Sequence, residues 1–226
     1  GTPRGAARLA GELALVDIAL KKAGVATPTS FAWCGNSFGP EAMEVLEARG
    51  YRFARRGMQP EVPYGQAKPG PMYEPANYHP LLIPTAGDAY PNWTLDDFKR
   101  VVDRAKDGKI AVVQFHGVPD TAHPWVNTPP EHFEEYLHYL QDGGFHVIAM
   151  RDLAQYVDPE AKVADAMTMV HYTGGQMDPP VEAETTRANP GFWLEDMLTR
   201  HHYTHTEAAQ VFGWPVKSLE ARLDDL

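Results

Sequence analysis

The sequence predicts an α/β fold in which helices alternate with parallel strands. Two observations support this prediction. Short apolar segments with strand character alternate with segments whose apolar residues recur every three or four positions. Glycine or proline stands at most of the junctions between them. The 226 residues are 43% hydrophobic and 11% aromatic, which is a globular composition and excludes disorder of the whole chain.

The first elements of the chain form a β-α-β unit behind an initial helix. Apolar residues at helical spacing over 6–23 predict the initial helix, which Gly24 ends. A strand is expected at 29–33. A second helix begins with proline and ends at glycine over 40–50, and a second strand follows at 51–54.

The next segment, residues 58–93, contains eight prolines and therefore predicts a long loop with little regular structure. One short strand is expected within it, at 81–83. Long loops in compact domains are usually functional or mobile.

Regular structure returns at Thr94, which we expect to cap a helix together with Asp97. The apolar run at 110–113 has the character of a strand covered on both faces. The remaining elements of this region are a helix at 130–141, a strand at 145–149 and a short helix at 150–157.

Three domains are expected from these patterns: an α/β domain over 1–157, an extended linker over 158–190 and a small helical module over 191–226.

The last 69 residues carry 12 acidic and five basic side chains, in a chain whose net charge is −10. Because no basic stripe is present, nucleic acid is not an expected partner. No apolar run approaches the roughly 20 residues of a membrane span, so no membrane partner is expected. The single cysteine, Cys34, excludes an intramolecular disulfide.

The strongest candidate for chemistry is His116, which directly follows the apolar strand. Side chains at the carboxyl ends of parallel strands face the ligand crevice, where an imidazole can act as a general acid or base. The alternative is a histidine buried in the core, with its ring nitrogens hydrogen-bonded there. We expect the ring to face an open cavity. Other candidates follow the strand ends or lie in the next loop: Trp33, Asn36, Arg55, Arg56, His123 and Trp125.

Residues 8–157 resemble the second half of the polysaccharide deacetylases, carbohydrate esterase family four. The resemblance rests on Phe-Ala-Trp-Cys-Gly-Asn at 31–36, Gly-Tyr-Arg-Phe-Ala at 50–54, Gln-Phe-His-Gly at 114–117, the helix at 133–141 and Gly-Phe-His-Val-Ile at 144–148. It implies a partial (β/α) barrel of the polysaccharide deacetylase type, with a long Pro-rich loop and a small helical C-terminal appendage.

The resemblance also implies roles for particular residues. A family strand ends in Leu-x-His and supplies a catalytic histidine, which corresponds to His116 although Gln114 replaces the leucine. Asp88 and Trp93 correspond to a family Asp…Asp-Trp segment in which Asn92 replaces the second acid. Trp33, Trp93 and Trp125 are candidate surfaces for sugar stacking, and the alternative for each is a core or loop-anchoring role. Arg55 and Arg56 are candidates to orient a carboxylate or to contact the substrate, and the alternative for one of them is a charge exposed to solvent.

The family holds a divalent metal, commonly zinc, through a Thr-Phe-Asp-Asp motif and a His-x-x-x-His motif upstream of the matched region. The first motif does not occur in the sequence. The second occurs at His201 and His205, but Thr204 is expected to cap a helix and leave His201 outside it. The missing metal half is therefore expected in a preceding segment or in another chain; the alternative is a relative that binds carbohydrate without cleaving it.

With four or five strands the barrel cannot close, and one edge of its sheet is left open. We expect this edge to be covered by the helix at 6–23, by the acidic linker at 158–190, or by a second subunit of a homo-oligomer.

The function implied by the resemblance is metal-assisted removal of acetyl groups from a carbohydrate substrate, with His116 transferring the proton. The alternative is a non-catalytic binding or assembly module of the same fold. A metal-independent serine esterase is the second enzymatic alternative, and it is not the expected one because Ser30, Ser37 and Ser218 all lack the Gly-x-Ser-x-Gly context.

Overall fold

The structure is a computed structural model. It describes residues 3–63, 66, 68–160, 163, 165–171, 191, 194, 197–198 and 203–223. The chain divides into two compact units, one of residues 1–27 and 174–226 and one of residues 28–173. This division differs from the expected domain over 1–157, because the first helix groups with the C-terminal residues. Most of the expected linker at 158–190 lies outside the described residues.

The helices and strands follow the predicted order along most of the chain. In chain order they are α1 (Pro3–Lys22), β1 (Ser30–Ala32), α2 (Pro40–Ala48), β2 (Phe53–Arg55), β3 (Gly87–Asp88), α3 (Leu95–Val102), β4 (Val113–Gln114), α4 (Pro130–Asp142), α5 (His205–Phe212) and α6 (Val216–Leu223). Short 3-10 helices lie at Cys34–Asn36, Pro80–Leu82, Pro124–Val126 and Met150–Gln155.

The larger unit is built on a layer of parallel strands. β1 pairs with β2, and β3 pairs with β4, with Asp88 opposite Gln114. The segment 83–88 connects the two pairs, because Ile83 forms a parallel bridge with Arg55 at one end of the segment while β3 lies at the other end. Four parallel segments therefore run side by side in chain order, and no closed sheet is formed within the described chain.

Helices α3 and α4 cover one part of this layer. Thr94 and Asp97 form the predicted capping box at the start of α3, each side chain bonding the backbone N–H of the other. Phe98 of α3 stacks on Tyr136 of α4, with ring centroids 4.4 Å apart and planes 12° apart. The Tyr136 hydroxyl donates to the Trp93 carbonyl at 2.9 Å, which satisfies its one polar group in the core.

The proline-rich segment differs from its prediction. All residues from Tyr78 to Tyr90 are buried, so this part is core. The strand expected at 81–83 is instead the 3-10 helix Pro80–Leu82, followed by the single bridge at Ile83. The apolar side chains of residues 81–83 are buried, as a strand in the core would have them. However, Pro80 and Pro84 have no backbone N–H to donate to a neighbouring strand.

The far edge of the layer differs from its prediction in one respect. Residues 110–115 are half-buried, and alternate side chains pack against two different apolar clusters, Ala111 and Val113 against one and Ile110 and Val112 against the other, so both faces are covered as expected for 110–113. The strand expected at 145–149 is not formed in the structure, and Val147 there is 68% exposed. Because these residues do not pair with β4, β4 is an edge with one unpaired side.

The smaller unit contains α1, α5 and α6. α5 begins with the predicted cap, since Thr204 and Glu207 form a second capping box, and Gly213 ends the helix in the left-handed region at φ 65°. Its core contains Ala208, Ala209 and Leu219 among other apolar residues. Within the described ranges, the structure contains no helix of the length and apolarity that a membrane crossing requires.

We predict that Gly87→Ala destabilises the larger unit. A Cβ on Gly87 would lie 2.4 Å from the Trp93 ring and 3.0 Å from Val101, and both neighbours are buried. Such overpacking costs about 1–3 kcal/mol, so the urea midpoint of unfolding is expected to fall.

Gly11→Ala in α1 is the matched control. The added Cβ would lie 3.5 Å from the nearest atom, the Val211 Cα, which is ordinary contact. Alanine inside a helix is expected to be neutral or to add about 0.5–1 kcal/mol. Equal midpoints for Gly87→Ala and the unchanged chain would show that the packing around Gly87 is looser than the structure indicates.

Candidate functional site

Four polar side chains meet where the central strands end. Arg55 is the last residue of β2, Asp88 of β3 and Gln114 of β4, and His116 follows two residues later. Because the strands are parallel, their carboxyl ends lie at the same edge of the layer. This edge is where the sequence placed His116 and Arg55.

The four side chains are joined by hydrogen bonds centred on Asp88. His116 Nε2 lies 3.1 Å from Asp88 Oδ1, and the Gln114 amide nitrogen lies 3.5 Å from Asp88 Oδ2. Arg55 donates from Nη1 to the amide oxygen of Gln114. The order of contacts is therefore Arg55 to Gln114, Gln114 to Asp88, and Asp88 to His116.

The tautomer of His116 is the one that a hydrogen bond to an ionised Asp88 requires. An ionised carboxylate can only accept, so the Nε2 of His116 donates in its hydrogen bond to Asp88. The Gln114 amide nitrogen, which lies 2.9 Å from the same Nε2, is also a donor, so both nitrogens point toward Asp88. Both contacts of the ring involve Nε2, which leaves Nδ1 to exchange a proton with a bound molecule.

Burial and charge act in opposite directions on Asp88. Burial raises the pKa of its carboxyl above the ordinary value, while His116, a hydrogen bond from Tyr90 and the charge of Arg55 oppose that rise. Burial likewise lowers the pKa of Arg55, against the attraction of Asp88 and Cys34. The Asp88 carboxylate is therefore costly to keep ionised and depends on its neighbours for compensation.

The imidazole of His116 is open to solvent on one side. Its side chain is 30% exposed, whereas that of Asp88 is 10% exposed. The alternative of a histidine sealed in the core does not describe this ring. Cavities of about 320 and 280 Å³ lie elsewhere in the larger unit, and neither is the cavity expected beside His116.

The loop after His116 carries two more of the candidates, His123 and Trp125. His123 bonds Asp120 through both its backbone N–H and its ring Nδ1, at 2.9 and 3.0 Å. Trp125 is 61% exposed and packs edge to face with the His123 ring. Asp120, which organises this pair, was not among the predicted site residues.

Four other predicted residues have structural roles instead. Trp33 and Trp93 are buried, so neither presents a ring face to a sugar, and the Trp33 indole N–H donates to the Leu81 carbonyl. Arg56 is fully buried and forms a two-pronged ion pair with Glu61, so it neither contacts substrate nor lies in solvent. Asn36 links neighbouring loops by bonding Gly57 and Gln59.

The described residues do not provide a metal centre. They contain no group of three or more His, Cys, Asp or Glu side chains placed to hold an ion. His205 lies 3.5 Å from Glu220, while His201 lies outside the described residues, so the predicted pair is not described. The single cysteine, Cys34, is exposed and follows β1 at the same edge as Arg55.

Sequence reasoning also missed Gln114, which links Arg55 to Asp88. A signal for it was present, because side chains two positions apart in a strand lie on the same face. Gln114 therefore had to share the face of His116. A polar side chain in an apolar run is the pattern that identifies it.

Comparison with known proteins finds no matching family model, no similar curated protein and no similar solved structure.

We predict that Asp88→Asn changes the pH dependence of stability. The folded pKa of Asp88 is raised, so its contribution to stability is largest below the unfolded value near 3.8 and is lost as pH rises through the folded pKa. Asparagine does not titrate. The free energy of unfolding of Asp88→Asn, minus that of the unchanged chain, should therefore increase with pH in urea titrations between about pH 3 and 6.

Asp97→Asn is the control with the opposite sign. Burial opposes the shift, but hydrogen bonds from Thr94 and the charge of Arg100 hold the pKa of Asp97 below its ordinary value. Its contribution is present above the unfolded pKa and is lost as pH falls, so the Asp97→Asn variant should lose stability relative to the unchanged chain as pH rises. Parallel curves for the two variants would contradict this account of Asp88.

Proposed function

We propose that the chain is a polysaccharide deacetylase-like hydrolase that removes acetyl groups from a carbohydrate, with His116 as the proton-transfer residue. The observation that carries the proposal is the 3.1 Å hydrogen bond between His116 Nε2 and Asp88 Oδ1 at the ends of adjacent parallel strands. The resemblance matches Asp88 to an aspartate of a family Asp…Asp-Trp segment and His116 to the family's catalytic histidine. In the structure the two residues, 28 positions apart in sequence, are in contact.

The chemistry proposed for His116 is general base catalysis followed by general acid catalysis. The ring first accepts at Nδ1 a proton from the water that adds to the acyl carbon, which forms a tetrahedral intermediate and makes the ring cationic. The ring then donates this Nδ1 proton to the sugar nitrogen or oxygen as its bond to the acyl carbon breaks, which gives acetate and a free amine or hydroxyl. Asp88 keeps the proton on Nε2 and stabilises the cationic ring, because its carboxylate accepts from that nitrogen.

Gln114 and Arg55 are positioning residues in this proposal. Gln114 lies between Arg55 and Asp88 and so restricts the rotation of the carboxylate. The exposure of His116 allows a substrate to reach Nδ1, while the burial of Asp88 keeps its hydrogen bond to the ring away from competing water.

Zinc, which the resemblance implies, has no assigned ligands among the described residues. Asp88 and His116 are hydrogen-bonded to each other and would provide only two metal ligands. The steps assigned to His116 and Asp88 therefore involve these side chains alone, and the metal bound to the purified chain is measured as a separate quantity.

We predict that His116→Ala lowers acetate release by at least about a hundredfold, since one general acid or base contributes about 10²–10⁴-fold. The substrates are N-acetylchitopentaose and acetylated xylan, each assayed with and without added zinc. Acetate is measured enzymatically, and bound metal is measured on the purified chain.

His138→Ala is the matched control. His138 is 66% exposed on α4 and pairs with Glu134 rather than with the candidate site. Its removal should leave acetate release unchanged. Absence of acetate from the unchanged chain under all conditions, or equal rates for both histidine variants, would overturn the proposed function and favour the non-catalytic binding module.

A further inference from the structure

The loop at residues 117–128, here the tryptophan loop, is tied to both members of the Asp88–His116 pair. Its ends meet at Gly117, the residue after His116, through a parallel bridge to Asn127 and a 3.0 Å bond from the Thr128 N–H. Thr128 is buried, and its hydroxyl donates to the carbonyl of Ala89, the residue after Asp88. The loop therefore begins and ends at the candidate site.

The interior of the tryptophan loop is fixed by polar contacts around Asp120. The Asp120 N–H donates to the Asn127 side chain at 2.7 Å, and its carboxylate accepts from the backbone and ring of His123. Burial opposes the shift, but these bonds from His123 lower the pKa of Asp120, so the carboxylate is held in its charged form. Gly117 approaches Asp120 so closely that an added Cβ would lie 2.7 Å from the Asp120 Cβ.

This framework presents one indole to solvent. Trp125 and Val126 are neighbours in the 3-10 helix Pro124–Val126, and they face opposite ways, since Val126 is 5% exposed and Trp125 is 61% exposed. The His123 ring braces the indole from one side, with centroids 5.5 Å apart and planes at 85°. His123 is itself held by Asp120, so the indole packs against a ring that hydrogen bonds keep in place.

We infer that Trp125 is a stacking subsite for a sugar ring of an acetylated oligosaccharide. The apolar face of the sugar would lie on the indole, and its hydroxyls would reach the polar His123 and Asp120 beside it. This inference rests on the proposed function for the identity of the ligand. Trp125 would then position the glycan on the loop that begins one residue after His116.

The size of the apolar surface distinguishes this ligand from a protein partner. Val118, at 37% exposed, is the other large apolar side chain that the loop exposes. Stable protein interfaces bury at least about 1,000 Å² in total, far more than one indole and one valine offer. An isolated aromatic ring flanked by a carboxylate and an imidazole matches the area and polarity of a single sugar.

The test is direct binding of N-acetylchitopentaose and acetylated xylopentaose to the full chain. Affinity is measured by calorimetry and by two-dimensional NMR, with the unchanged chain, Trp125→Ala and Trp125→Phe. We expect Trp125→Ala to weaken binding of at least one of the two probes at least about fivefold, and Trp125→Phe to retain most of the affinity. Circular dichroism checks that each variant is folded.

Tyr156→Ala is the matched control. Tyr156 is 55% exposed and packs against His146 with ring centroids 5.4 Å apart, so it is also an exposed aromatic ring paired with a histidine. It lies outside the tryptophan loop, and its removal should leave affinity unchanged.

The outcomes separate the two proposals. Binding that depends on Trp125 without acetate release would support the stacking subsite and overturn the proposed function. Acetate release with equal affinity for Trp125→Ala and the unchanged chain would support the function and overturn the subsite. If neither oligosaccharide binds the unchanged chain, the subsite is overturned.

Discussion

The feature on which the candidate site depends is a carboxylate held in a poorly solvated place. Asp88 lies at the end of a central strand, and the loss of water there must be offset by groups that donate to it. His116 and Gln114 supply that compensation by direct hydrogen bonds to Asp88, and Arg55 contributes through Gln114. Because Arg55 comes from a different part of the chain than Gln114 and His116, the site forms only when the strands pair in this parallel register. A shift of one residue between β3 and β4 would turn Gln114 to the other face and break this arrangement.

The proline-rich segment shows how such a site is supported by residues that have no regular structure. Thirteen consecutive residues ending at Tyr90 are buried, although the segment forms only a 3-10 turn and one short strand. Prolines lack the backbone donor that is costly to bury, so a proline-rich chain can cross a core with fewer groups to satisfy. This segment carries Asp88 into the centre of the layer.

The sequence predicted the parts of the fold that depend on local interactions. Both capping boxes, at Thr94 and Thr204, and the helices between glycine and proline signals were found where expected. The sequence could not decide between alternatives that depend on distant residues: the burial of Trp33 is accompanied by a hydrogen bond to the Leu81 carbonyl, 48 positions away. The expected strand at 145–149 has β-branched residues but no bonded neighbour, and a strand cannot exist without one. In the site, Asp88 and His116 were identified, and their contact with each other could come only from the fold.

Cys34 gives the protein a practical property. It is the single thiol of the chain, it is exposed, and it follows the strand that lies beside Arg55. A maleimide dye would therefore attach at one defined position near the strand ends, without engineering of the chain. The same thiol permits two molecules to cross-link through an intermolecular disulfide under oxidising storage, so a dimer has to persist in reductant before it counts as non-covalent.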